Sequence, residues 1–144
     1  HAMAAGLSIK LEEFYAFKRA FHDAIKTHLN SKIPTVELLT DGELESFDIS
    51  LKNAEILKQA GPWGQGFEEP IFFGEFDVVD QKVVGEKHLK CRLKLKGDAQ
   101  VHDAIAFFQA PLESTRVKAA YKLSINIWRG NTSLQLMVEQ INPA

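Results

Sequence analysis

The chain has 144 residues, 45% of them apolar, with 17 Lys and Arg against 19 Asp and Glu and a net charge of −2. A chain of this length buries roughly 68–70% of its unfolded surface, so the expectation is one soluble globular domain that needs no disulfide or metal staple. The balance argues against a strongly basic nucleic-acid binder as a whole-chain average, and no apolar run approaches the ~18–20 residues of a membrane span.

Cys91 is the single cysteine, which excludes an internal disulfide and makes a reducing cytoplasm the expected compartment. The start carries no basic-then-apolar leader, so secretion is not expected. The first residue is His1 rather than Met, which reads as processing or as a piece of a longer protein.

In chain order, a short extended piece precedes an amphipathic helix in the first thirty residues. Phe14, Phe17, Phe21, Ile25 and Leu29 recur at spacings of three and four, and this stripe is expected to pack into a core rather than form a ligand box. His22 and His28 fall on its flanks and lack the four-residue spacing of helical zinc ligands. Residues 30–34 break the helix, 35–39 form a strand candidate, and Asp41-Gly42 a turn. The acidic run Asp41, Glu43, Glu45 and Asp48 lacks calcium-loop spacing and reads as a solvated turn. A second helix is predicted over 50–60, capped by Ser50, with Leu51, Ala54 and Leu57 inward, and Gly61-Pro62 stops it.

From Gly61 the hydrophobic period changes from 3.6 to 2. Strands are predicted near 71–80, 87–96, 101–108, 117–129 and 133–141. Turns fall at Gly85, Gly97-Asp98, a Pro111-containing connection long enough for a short helix, and Gly130-Asn131. Five short strands in about 80 residues suit a small closed or nearly closed antiparallel barrel, because closure removes exposed edges.

The segment HLKCRLKLK is the most informative for function. In a strand, Leu89, Cys91, Leu93 and Leu95 point one way and Lys90, Arg92, Lys94 and Lys96 the other. Alternate side chains stand ~6.6 Å apart, close to the phosphate spacing of an extended single strand, although lysines protecting an edge strand are the rival reading. In the fourth strand Lys122, Ser124, Asn126 and Trp128 share the polar face, with Arg129 following. Interleaved basic and aromatic side chains are what sequence-tolerant single-strand binding uses, the rival being a tryptophan that merely covers a barrel end. Between residues 81 and 97 six basic residues meet only Glu86, whereas residues 67–80 carry Glu68, Glu69, Glu75, Asp77 and Asp80 without a Lys or Arg. A dipolar molecule with one basic face is expected.

Catalysis has no support in the residues themselves: no serine, threonine or cysteine has an activating partner, and no spaced aspartate or histidine cluster could hold two metal ions. His102-Asp103 are adjacent in a strand and face opposite ways. No catalytic or metal-binding residue is assigned.

Two segments carry a family resemblance. HAMAAGLS is similar to the Gly-Gly-His-Ala-x-Ala-Ala-Gly motif of the DHH-associated substrate-binding domain in the RecJ family of bacterial single-stranded-DNA exonucleases. GPWGQGFEEPIF resembles the Pro-Phe-Gly-x-Gly-Asn-Pro-Glu-Pro stretch that introduces that family's OB-fold domain, with Phe67-Glu68 in place of Asn-Pro. HLKCRLKLK, AIAFF, LSINIWRG and LQLMVEQI follow in family order. The resemblance implies an α+β chain: an N-terminal strand over 4–9 and two helices, then a five-stranded antiparallel OB-fold-type barrel. It divides the chain into a remnant of the substrate-binding domain (1–32), a connecting segment (33–60) and an OB-fold nucleic-acid-binding domain (61–144).

The implied parent digests single-stranded DNA from its 5′ end with manganese or magnesium, in recombinational and mismatch repair. The first two glycines of the initial motif and the metal-binding motifs are absent, so no cofactor is expected in this piece. His1 would be the motif histidine near substrate phosphates, a cloning scar ending in His-Ala-Met being the alternative. Lys90, Arg92, Lys94 and Lys96, with Trp128, Arg129, Lys122 and His102 as neighbours, would hold single-stranded DNA. Trp63 reads as packing under the barrel rather than stacking a base. The other partner implied is an acidic peptide, such as the tail of the family's single-stranded-DNA-binding partner protein. A purely structural domain positioning the upstream nuclease is the third reading.

Overall fold

The computed structural model describes residues 4–30, 37–85 and 87–144, and it divides into two compact units, His1–Leu38 and Leu39–Ala144. In the first, a single 3₁₀ turn at Leu11–Glu13 runs into helix α1, Phe14–His28. Asn30 takes a left-handed conformation (φ 49°), an ordinary way to end a helix.

Two expectations change in this unit. Residues 4–9 form no strand, because a strand needs a ladder partner and the described residues supply none. Among the described residues the aromatic stripe of α1 gains no buried core: no residue of the helix is buried, and Phe17 stacks on Phe21 at 5.6 Å. His22 and His28 are exposed. The strand candidate at 35–39 falls partly outside the described residues, and 37–39 are not in a strand.

The second unit is a closed five-stranded barrel: β1 Phe72–Val84, β2 His88–Leu95, β3 Val101–Ala106, β4 Arg116–Trp128 and β5 Asn131–Pro143, in the order β1-β2-β3-β5-β4. All five strands lie where the period-2 pattern puts them. The sheet is mixed rather than fully antiparallel, since β3 and β5 run parallel through Ala104↔Leu136, Ile105↔Met137 and Ala106↔Val138. A closed ring with an odd number of strands cannot alternate direction throughout, so one parallel contact is a topological necessity. β1 closes the ring by pairing with β4 along its first half and β2 along its second, and the register shifts between Val78 and Asp80. An extra residue there bends the strand and raises its twist.

The interior is filled by alternate residues of every strand, with Tyr121, Phe76, Leu89, Leu93, Leu136 and Val117 the largest fully buried side chains beside Ile49. Helix α2, Leu51–Ala60, belongs to this unit and packs on β4 and β5 through Ala54 and Leu57. Ser50 caps it as expected, its side chain accepting from Asn53 N at 3.3 Å. Trp63 donates from Nε1 to Leu57 O at 2.8 Å and stacks on Phe67 at 4.8 Å, so it is packed rather than presented. The Asp41-Gly42 turn is bound to the barrel. Asp41 N donates to Ile71 O at 2.7 Å, the Asp41 carboxylate accepts from Ile71 N at 3.0 Å, and Phe73 N donates to Gly42 O at 3.0 Å.

The connection from β3 to β4 contains no helix. The Gln81 side chain instead donates to Leu112 O and accepts from Leu112 N, both at 2.8 Å, which satisfies that loop's backbone without one. The β4–β5 turn is Arg129-Gly130, one residue earlier than expected. Both residues have positive φ (48° and 81°), as a two-residue hairpin requires for its twist to match the strands.

Candidate nucleic-acid interface

β2 alternates as its sequence dictates. Leu89, Cys91 and Leu93 are buried, and Lys90, Arg92, Lys94 and, just past the strand, Lys96 line the outer face. Burial also raises the Cys91 thiol pKa to about 11, aided by the nearby Asp80 charge, so it takes no part in surface chemistry.

The outer face is not uniformly basic. In the β1–β2 register Lys94 lies opposite Asp77 and Arg92 opposite Asp80, while on the other side Arg92 lies opposite Asp103 of β3. Lys94 pairs with Asp77 at 3.7 Å and Lys96 with Glu75 at 2.6 Å. From β4, Arg116 reaches Asp77 at 3.9 Å and Lys118 reaches Glu75 at 3.6 Å. The hydrogen bond and charge of Lys96, with Lys118 beyond, hold the Glu75 carboxyl below its usual range. The expectation of one basic face is corrected by this register: a hairpin lays the acidic run of β1 against the basic run of β2, so charge segregated along the chain becomes interleaved in space. Among the described residues, Lys90 and Arg92 have no carboxylate within 4.0 Å.

The remaining sequence-derived residues do not join that face. Lys122 is half-buried and held by Glu139 at 3.3 Å and Glu69 at 3.9 Å. Tyr121 pairs with Phe72 at the start of β1, so Trp128, seven residues farther along β4, stands past the end of the β1–β4 ladder. Trp128 is 66% exposed at the hairpin tip, with the Arg129 guanidinium 5.6 Å from its ring centroid. His102 points inward and is 4% exposed; burial lowers its pKa, the charge of Asp98 opposing this in part. His1 lies outside the described residues.

One cluster escaped the sequence reading. His88 of β2 makes edge contacts with Phe107 at 5.0 Å and Phe108 at 4.9 Å, both exposed just after β3. A signal for it exists in the sequence: adjacent residues at a strand end face opposite ways, so Phe107 and Phe108 cannot both be core.

Among the described residues no three His, Cys, Asp or Glu converge into a cation site, and none of the helices is long and apolar enough to cross a membrane. The described residues therefore offer no ligand set to the manganese or magnesium of the implied parent.

Residues 40–140 match the family model described as the RecJ OB domain. Over 99% of its length the chain is 44% identical to the single-stranded-DNA-specific exonuclease RecJ of Haemophilus influenzae and 40% identical to that of Escherichia coli. It spans 26% of each, about a quarter of those curated relatives. Among solved structures, RecJ from Thermus thermophilus in complex with Mn²⁺ superposes with a TM-score of 0.58 over 96% of this chain and 20% of that one, at 24% identity, which speaks for the fold.

Proposed function

The chain belongs to the RecJ OB-domain family, and from that premise we propose that it is the single-stranded-DNA-binding part of a 5′-to-3′ exonuclease acting in cytoplasmic DNA recombination and repair, mismatch repair included. In this reading the metal-dependent hydrolysis belongs to the part of the relatives that the chain does not span. Residues 1–32 are the tail of the substrate-binding domain, 33–60 a connection and 61–144 the DNA-binding barrel. The barrel grips the strand between cuts.

One observation carries the proposal: on the outer face of β2, Lys90 and Arg92 project side by side with no ion-pair partner within 4.0 Å among the described residues. Two cations at alternate strand positions match successive phosphates of an extended strand, and such contacts give sequence-independent affinity. Lys94 and Lys96 stay tied to Asp77 and Glu75 and join the contact only when those carboxylates are neutralised. Trp128 and Arg129 form a second contact, one ring for stacking and one cation beside it.

Anisotropy titration of a labelled oligonucleotide with the whole chain tests the proposal. Single-stranded DNA should bind more tightly than the same sequence as duplex, and Arg92→Glu should weaken all sequences alike. No binding of single strands would refute it. The second reading, docking of an acidic peptide such as a single-stranded-DNA-binding protein's tail, draws on an apolar recess of Val83, Phe108, Ala110 and Pro111 beside Lys87.

A further inference from the structure

We infer that the β1–β2 end of the barrel is a base-stacking step for single-stranded DNA, with Phe107 and Phe108 as the stacking rings and Lys82 and Lys90 as the adjoining phosphate contacts. The inference rests on the proposed DNA-binding reading and gives it a location that the basic strand alone does not specify.

The register builds the patch. On the outer face Lys82 of β1 is opposite Lys90 of β2, and Lys90 is opposite Ile105 of β3. One pleat farther on, Val84 is opposite His88, and Phe107 follows Ala106, the last residue of β3, beside it. A row with two cations thus lies directly next to a row with a His-Phe pair, within the ~6.6 Å of one strand repeat.

Three features fit a ligand more readily than they fit folding. First, like charges directly opposite each other across a ladder are unfavourable, and among the described residues no carboxylate lies within 4.0 Å of Lys82 or Lys90. A bridging phosphate would relieve that repulsion. Second, Phe107 and Phe108 are 51% and 78% exposed, side by side, where a soluble surface ordinarily carries scattered apolar residues. Third, Phe108 has φ +56°, a conformation rarely adopted by a bulky residue. It is held there by its own N–H, which donates to His88 Nδ1 at 3.2 Å, and by an edge contact of 4.9 Å between the His88 and Phe108 rings. Backbone strain used to hold a ring outward favours a contact over a packing role. Flat rings beside cations suit a flexible strand of nucleotides, whose bases have faces to stack and whose phosphates recur at a matching interval.

The test compares two ligands of equal length, an oligothymidine of about 16 nucleotides and its fully abasic counterpart, each titrated against the whole chain. The double variant Phe107→Ala/Phe108→Gly removes both rings while glycine keeps the left-handed backbone without strain. It should weaken oligothymidine at least about thirtyfold, leave the abasic strand unchanged, and keep the salt dependence of binding. Lys82→Gln/Lys90→Gln should weaken both strands and flatten the salt dependence. A 2-aminopurine in the oligonucleotide should lose emission on binding wild type and regain it with the ring variant. Oligothymidine binding equal in wild type and ring variant, or equal losses on both strands, overturns the stacking step while leaving DNA binding itself standing. Absence of binding by the wild-type chain refutes the wider reading instead. A ring variant that loses an acidic peptide and retains the oligonucleotide also overturns it, in favour of a peptide groove.

Discussion

The Lys96 ammonium donates to Glu75 Oε2 at 2.6 Å across the β1–β2 hairpin, and the Lys96 backbone N–H donates to Glu75 O at 2.9 Å. With Lys94–Asp77 beside it, this pair divides the basic strand into a restrained half and one without ion pairs among the described residues. The substitutions Glu75→Gln and Asp77→Asn should therefore strengthen single-stranded-DNA binding, steepening the log–log salt slope by about 0.7 for each cation released. Titrations at several salt concentrations check this, and an unchanged slope would mean that the paired lysines already contact phosphate.

Trp128 stands past the end of the β1–β4 ladder, at the tip of the β4–β5 hairpin. Trp128→Ala should cost ~1–3 kcal/mol of binding to a long oligonucleotide, leave the salt slope alone, and matter little for one too short to reach the hairpin tip. Equal losses for long and short strands would place Trp128 beside the β2 face instead.

Tyr121 is fully buried, and among the described residues its hydroxyl has no hydrogen-bond partner. Burial raises its pKa, with the Glu43 charge adding to the effect, so the group stays neutral. Because an unpaired buried hydroxyl carries a desolvation cost, Tyr121→Phe should leave stability unchanged or raise it by up to ~1 kcal/mol. Tyr121→Ala should cost ~3–5 kcal/mol through the lost contacts with Phe76 and Phe72. Urea denaturation of both variants measures the contrast.

His102 contributes pH dependence to the barrel between neutral and mildly acid pH. Burial holds its folded-state pKa below that of the unfolded chain, so the unfolded state binds the extra proton first. Its contribution is intact above about pH 6.5 and is lost as pH falls through the unfolded and then the folded pKa. The urea midpoint should fall from pH 7 to pH 5, and His102→Phe should flatten that fall. Among the described residues Nε2 of His102 has no partner to lose.

Periodicity made the fold legible because each strand's two faces see different solvents: Leu89, Cys91 and Leu93 had to go in and Lys90, Arg92 and Lys94 out. The Ser50 cap was readable because capping is local. The sites were less legible because they depend on register. Nothing within β2 says that Asp77 will face Lys94, or that Lys82 will face Lys90. His102 shows the same limit, since its alternation marks a face without saying which face is the interior until Ala104 and Leu136 pair across β3 and β5. The connection around Pro111, long enough for a short helix, forms none, because a single distant side chain, Gln81, satisfies that loop.

The salt dependence of single-stranded-DNA binding reports how many phosphates the basic side chains neutralise. With Lys82, Lys90 and Arg92 each neutralising one phosphate, the log–log slope should be about −2, roughly a twentyfold loss of affinity between 50 and 200 mM salt. It should fall below about −1 in magnitude in the Lys90→Gln/Arg92→Gln variant. A flat response in the wild-type chain, or the same slope in both chains, would mean that these cations do not contact phosphate.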